Sequence, residues 1–98
     1  MAKRIVIPAH PVLQRVESLP ELGLAIRASR TKSDLRIDTA ASLCGVSVSL
    51  LSALENGKDR AVRLDKLLTV LDNLGLAMLV TPKDIAERIE KEINRAPA

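Results

Sequence analysis

A chain of 98 residues makes one small domain, and a hydrophobic content of 47% supplies material for a core. None of it is Phe, Tyr or Trp, so the core must be built from Leu, Val, Ile and Ala, and Leu and Ala favour helix. The net charge of +3 names no partner by itself, the single cysteine (Cys44) excludes a disulfide framework within the chain, and no apolar run approaches the ~18 residues of a membrane span. A soluble cytoplasmic protein with no membrane partner is expected. Each buried Leu or Ile contributes only ~1.5–3 kcal/mol, so association with a second copy is a plausible source of further burial. The basic excess is uneven: residues 21–63 carry seven basic and five acidic side chains, and residues 83–98 carry four of each.

At the N-terminus "KRIVI" suits a strand or a flexible arm, and Pro8 ends it. Pro8, Pro11 and Pro20 break the next stretch. Ser18 is placed to cap a helix beginning near Leu19, with Pro20 in its first turn and Glu21 where the helix dipole favours an acid. Leu22, Ala25, Ile26 and Ser29 make its apolar face, and Arg27, Arg30 and Lys32 are expected to face elsewhere. "KSDLR" is a polar break. "IDTAASLCG" predicts a short helix with Ala40, Ala41 and Cys44 inward, ended by Gly45. Ser47 caps the next helix, whose buried face is Leu50, Leu51 and Leu54, and Asn56-Gly57 stops it. "KDRAVR" is a charged loop. "LDKLLTVLDNLG" predicts a helix with Leu64, Leu67, Leu68, Leu71 and Leu74 at helical spacing and Gly75 as its cap. "LAMLV", Leu76 to Val80, is too short for a new helix and reads as a strand that Pro82 stops. A last helix, "PKDIAERIEKEINR", carries Ile85, Ile89 and Ile93 four apart, with Asp84–Arg88 and Glu87–Lys91 pairs worth a few tenths of a kcal/mol each.

Two short helices joined by a tight glycine turn, 37–44 and 47–55, suit a helix-turn-helix. Ala41 is small where the second helix crosses the first. Gly45 permits a turn that a side chain would obstruct. Val46 and Leu51 fill the angle between the helices. The unit A-x-x-x-G-V-S-x-x-x-L-S-x-L-E-N-G-K is far more specific than any three of its residues. Over about residues 19–76 the sequence resembles the lambda repressor/Cro-like helix-turn-helix superfamily, and "LLTVLDNLGLAMLV" looks more particularly like the HipB-type antitoxins.

That resemblance implies a mostly α, five-helix, lambda repressor-like domain with a short C-terminal strand, paired across a homodimer, and a terminal helix. The divisions are an N-terminal arm or short strand (1–18), the DNA-binding domain (19–76), and the dimerisation strand with the C-terminal helix (76–98). The implied function is a DNA-binding antitoxin that represses its own operon as a dimer on double-stranded operator DNA and binds a HipA-like kinase toxin. Ser47, Val48, Ser49 and Ser52 match the family's base-facing positions. Lys58, Arg60 and Arg63 lie where the family touches phosphate, Glu55 matches a structural acid, and Leu76, Met78 and Val80 belong to the dimerisation strand. The family often has Gln where this chain has Ile37, so Arg36 or Thr39 would replace that phosphate contact. A nucleoid-associated cytoplasmic location follows from the same resemblance.

Two other functions fit the residues: a helix-turn-helix repressor without a toxin, and an interaction module that barely binds DNA. The stretch from Val46 to Leu54 holds no Arg, Lys, Asn or Gln, the residues that most often read bases, and this keeps the module in view. Its serines offer hydroxyls to either base type, and Val48 offers apolar contact to a thymine methyl. Structural readings stand beside the functional ones. Lys58, Arg60 and Arg63 also suit a solvated loop, Ser47 has a capping role in any case, and Cys44 suits a small buried hydrophobe. One His and one Cys make no zinc set, "GVSVS" is not a nucleophile elbow, and "NGK" lacks the upstream glycine of a phosphate loop. No cofactor or metal is implied, and enzyme activity is not expected.

Overall fold

Ser18 starts the folded unit as the sequence predicts. Its backbone is extended (φ −154°) and its Oγ accepts the Glu21 N–H at 3.5 Å, while the Glu21 carboxylate accepts the Glu17 N–H at 2.6 Å. The computed structural model describes residues 13–58 and 61–93. They form α1 (Leu19–Lys32), α2 (Ile37–Cys44), α3 (Val48–Glu55), α4 (Leu64–Asn73) and α5 (Lys83–Ile93). The mostly α, five-helix architecture expected from the sequence is therefore present. Turns separate the helices where the backbone reverses its hand: Asp34 after α1, Gly45 after α2, Gly57 after α3 and Gly75 after α4 all have positive φ.

One aliphatic core joins the first four helices: Ile26 from α1, Ala40, Ala41 and Cys44 from α2, Leu51 and Leu54 from α3, and Leu67, Val70, Leu71 and Leu74 around α4. The small α2 side chains let its neighbours close over it, as expected. Burial raises the Cys44 thiol pKa, consistent with a packing role. One expectation changes: Leu50 is only half-buried. Of the leucines at helical spacing on α4, Leu64 and Leu68 are exposed, and Val70 is fully buried. At 3.6 residues per turn the covered arc of α4 centres on Leu67 and Leu74, Val70 stands at one edge, and Leu64 and Leu68 turn out past the other.

The predicted strand is not found. Among the described residues there is no strand, and Leu76–Val80 has no regular secondary structure. The Leu76 N–H turns back to donate to the Leu71 carbonyl at 2.8 Å, and Leu76 is half-buried on the core. Beyond it Leu79 and Val80 stand 74% and 94% exposed. A strand exists only where a neighbour completes its hydrogen-bond ladder, and the described part of the chain brings none alongside. The alternative partner "KRIVI" lies outside the described residues. Helix α5 has no buried residue: Ile85 is half-buried, Ile89 and Ile93 are exposed, and Glu87 reaches back to Arg15 (3.7 Å). No single helix among the described residues is long and apolar enough to cross a membrane.

Candidate nucleic-acid interface

The chain between α2 and α3 turns within three residues. Gly45 adopts φ +70°, its N–H donates to Ser42 O, and the Val46 N–H donates to Ala41 O at 3.0 Å, closing the carbonyls at the end of α2. A Cβ at Gly45 would meet nothing within 4 Å. Glycine is therefore favoured here by left-handed backbone, not by crowding, which corrects the steric reason the sequence suggests. Ser47 then caps α3, its Oγ accepting the Leu50 N–H at 3.0 Å. The two helices meet at a bend of 109°, within the range of a helix-turn-helix.

α3 is held from behind by α1. Gly23 lies against the last carbonyls of α3, where an added Cβ would fall 2.3 Å from Leu54 O and 2.7 Å from Glu55 O. Pro20 closes on Gly57. Arg30 reaches across to Glu55: Nε lies 2.5 Å from Oε2, Nη2 donates to Oε1 at 2.9 Å, and Nη1 donates to the Leu35 carbonyl at 2.7 Å. The two side chains are 13% and 4% exposed. Hydrogen bonding to Glu55 raises the Arg30 pKa, the opposing desolvation being the smaller effect.

The brace holds the C-terminal end of α3, and its N-terminal end lies outward. Ser47, Val48 and Ser49, at and just before its first turn, are exposed. Ser52, one turn on, is half-buried, and its hydroxyl and carbonyl oxygens both accept from Asn56 Nδ2 (3.3 and 2.8 Å). Of the residues expected on phosphate, Arg36 and Arg63 occupy the N-cap positions of α2 and α4. Thr39 is exposed in the first turn of α2, and Lys58 is exposed just past α3. Arg60 lies outside the described residues. Each N-cap arginine has a carboxylate two residues on, Arg36 with Asp38 at 3.5 Å and Arg63 with Asp65 at 2.9 Å. Such exposed pairs are worth ~0–1 kcal/mol, so a phosphate can displace them, though each aspartate also repels it. Leu76, Met78 and Val80 sit away from this region of the sequence, in the irregular segment after α4.

The model of a family described as "Helix-turn-helix domain" matches residues 21–78, more than half of the chain. The chain belongs to this helix-turn-helix family. No curated protein sequence matches it. Among solved structures, a chain of the "Structure of HipA-HipB-O2-O3 complex" is similar with a TM-score of 0.63 and 22% identity, covering 72% of this chain and 99% of that one. At that identity the likeness is one of fold, and it agrees with the HipB-type resemblance seen in the sequence.

Within this helix-turn-helix domain two residues of α1 hold the end of α3 in ways that their own sequence positions do not announce. Arg30 was expected to face away, yet it lies four residues after the fully buried Ile26, on the same stripe of α1. Its partner Glu55 was expected to be structural, and the buried pair is that structural role. Gly23 carried a signal of its own, since a glycine inside a helix costs ~0.5–1 kcal/mol and marks close approach by another backbone.

Proposed function

We propose that this helix-turn-helix protein is the DNA-binding antitoxin of a type II toxin–antitoxin system, which represses its own operon as a dimer and binds a HipA-like kinase toxin. One observation carries the DNA reading: α3 is clamped by α1 at its C-terminal end while Ser47, Val48 and Ser49 are exposed at its start. That is the end of a second helix which enters the major groove in helix-turn-helix proteins. Residues 19–76 form the DNA-binding domain in this proposal. Ser47, Val48, Ser49 and Ser52 face bases, while Arg36, Thr39, Lys58, Arg60 and Arg63 hold phosphate. Residues 76–98 carry dimerisation, with Leu76, Met78 and Val80 paired against a second copy. Two copies would place their α3 helices roughly 34–36 Å apart on a palindromic site. The toxin reading rests on the fold shared with a chain of the HipA-HipB complex and on the resemblance of "LLTVLDNLGLAMLV" to HipB-type antitoxins.

The test is co-expression with the neighbouring reading frames, purification, and mass measurement of the complex, beside a salt-titrated gel shift on the protein's own promoter. A co-purifying kinase-like protein supports the antitoxin; a DNA shift with no such partner leaves a repressor without a toxin. No shift at low salt removes both and favours an interaction module, the reading that the scarcity of polar base-readers on α3 supports. Lys58→Ala should weaken binding to all sequences alike and lower the slope of log K against log[salt] by about one. A loss confined to one base pair would contradict its phosphate role.

A further inference from the structure

The starts of α2 and α4 repeat one another. "RIDT" opens the first and "RLDK" the second, with arginine at the N-cap and aspartate two residues on. Arg36 and Arg63 share one extended backbone (φ −72°, ψ 153° and φ −70°, ψ 142°), and neither side chain caps its helix. Ser, Thr, Asp and Asn are the residues that cap well, and a cation at the positive end of a helix dipole is disfavoured. The two arginine side chains are 84% and 83% exposed, so they do not serve packing either. An arginine in that place suits an anion, and in both helices an anion is already there. Asp38 Oδ1 accepts the Thr39 N–H at 2.8 Å and lies 3.5 Å from Arg36 Nε. Asp65 Oδ1 accepts the Lys66 N–H at 2.8 Å, while its Oδ2 accepts from Arg63 Nη2 at 2.9 Å. Each carboxylate thus engages a guanidinium together with an amide of the first turn, two kinds of donor that a DNA phosphate takes at a helix start.

We propose that Asp38 and Asp65 are built-in competitors of DNA phosphate, which hold the arginines at the starts of α2 and α4 as internal salts and so limit how tightly the protein binds its operator. The inference rests on the DNA-binding function proposed above and names what sets the affinity of those contacts. The competition has a signature in salt. A phosphate met by a free arginine is neutralised and releases its counterion. A phosphate met by an arginine that keeps its own carboxylate beside it is not neutralised, and the counterion stays. A purely structural role predicts the opposite sign. Acids in a first turn stabilise the helix start, so removing them would loosen the backbone that carries the arginines and weaken DNA binding.

The experiment compares Asp38→Asn, Asp65→Asn and the double variant with wild type in salt-titrated gel shifts, on duplexes that the full chain selects from a random library. Asparagine keeps an oxygen for the Thr39 or Lys66 amide and removes the charge. Each single variant should bind about fivefold more tightly at low salt, and the slope of log K against log[salt] should steepen by about one per copy bound. The double variant should exceed both. Thermal unfolding of the single variants should fall by about 2–5 °C, so that affinity and stability move in opposite directions. Asp84→Asn removes an equal charge from the first turn of α5 and should leave affinity within about twofold. Asp38→Ser and Asp65→Ser, which also keep an oxygen acceptor, replace any variant that circular dichroism shows to be unfolded. Affinity that is unchanged or falls when an acid is removed overturns the competition at that helix and leaves the DNA-binding proposal standing. An equal gain from Asp84→Asn overturns it too, since total charge would then be the cause. Failure to select any duplex at low salt overturns both proposals.

Discussion

The four helices α1–α4 and the segment after them are built on opposite terms. Every residue of the aliphatic core comes from α1–α4 and Leu74, the residue that ends α4. From Leu76 onward none of the described residues is buried, although Met78, Leu79, Val80, Ile89 and Ile93 are large and apolar. The first region holds a core of its own, and Ser18 and Ser47 cap two of its helices from within the chain. The second has apolar residues for packing, yet beyond the half-buried Leu76 and Ile85 its large ones stay exposed. Composition alone does not make a core, because burial requires a second surface at the right distance. A second copy supplies that surface in the proposed dimer.

The sharpest way to break this contrast is to open the first region from inside. Arg30→Ala leaves the Glu55 carboxylate buried and unpaired, and should cost about 3–5 kcal/mol in urea denaturation, enough to unfold much of a small domain at ambient temperature. Stability within 1 kcal/mol of wild type would mean that the pair does not hold α1 to α3. The two glycines behind and before α3 separate crowding from conformation. Gly23→Ala drives a Cβ into the carbonyls at the end of α3 and should cost about 1–3 kcal/mol, with DNA affinity falling further as α3 is pushed off its seat. Gly45→Ala meets open space but a left-handed backbone, and should cost about 1–2 kcal/mol in thermal unfolding. Asn visits that conformation more readily than Ala, so Gly45→Asn should recover part of the loss, whereas Gly23→Asn should be worse than Gly23→Ala. The smallest effect on the folded unit belongs to the tail. Val80→Asp should change its unfolding free energy by no more than about 0.5 kcal/mol, yet abolish self-association in sedimentation. A large loss of stability in a variant that is already monomeric would show that the tail belongs to the core after all.

Much of the first region was legible because its signals are local. Ser18 and Ser47 announced two helix starts, Gly45 and Gly75 two ends, and the Leu67–Leu71–Leu74 spacing a buried stripe. The helix-turn-helix unit was readable as a whole, since the turn, the small Ala41 and the wedge of Leu51 each follow from close crossing. The burial of Arg30 is not legible locally, because a charged residue on a helix is usually solvated and only the position of Glu55 on another helix reverses that. Leu76–Val80 was read as a strand because its residues favour one, yet strand formation depends on a neighbour that no local pattern specifies.

The sequence alone determined the helices, their ends, and the tight turn that presents α3, because capping, backbone handedness and hydrophobic period act over a few residues. Tertiary structure decided what stands behind and in front of that helix. It brought Gly23 and Arg30 of α1 against the carbonyls and carboxylate at the end of α3, contacts across some thirty residues of chain. It also left Val48 without a place in the core. Those outcomes depend on how whole helices pack, a sum over many weak contacts that no single stretch of sequence contains.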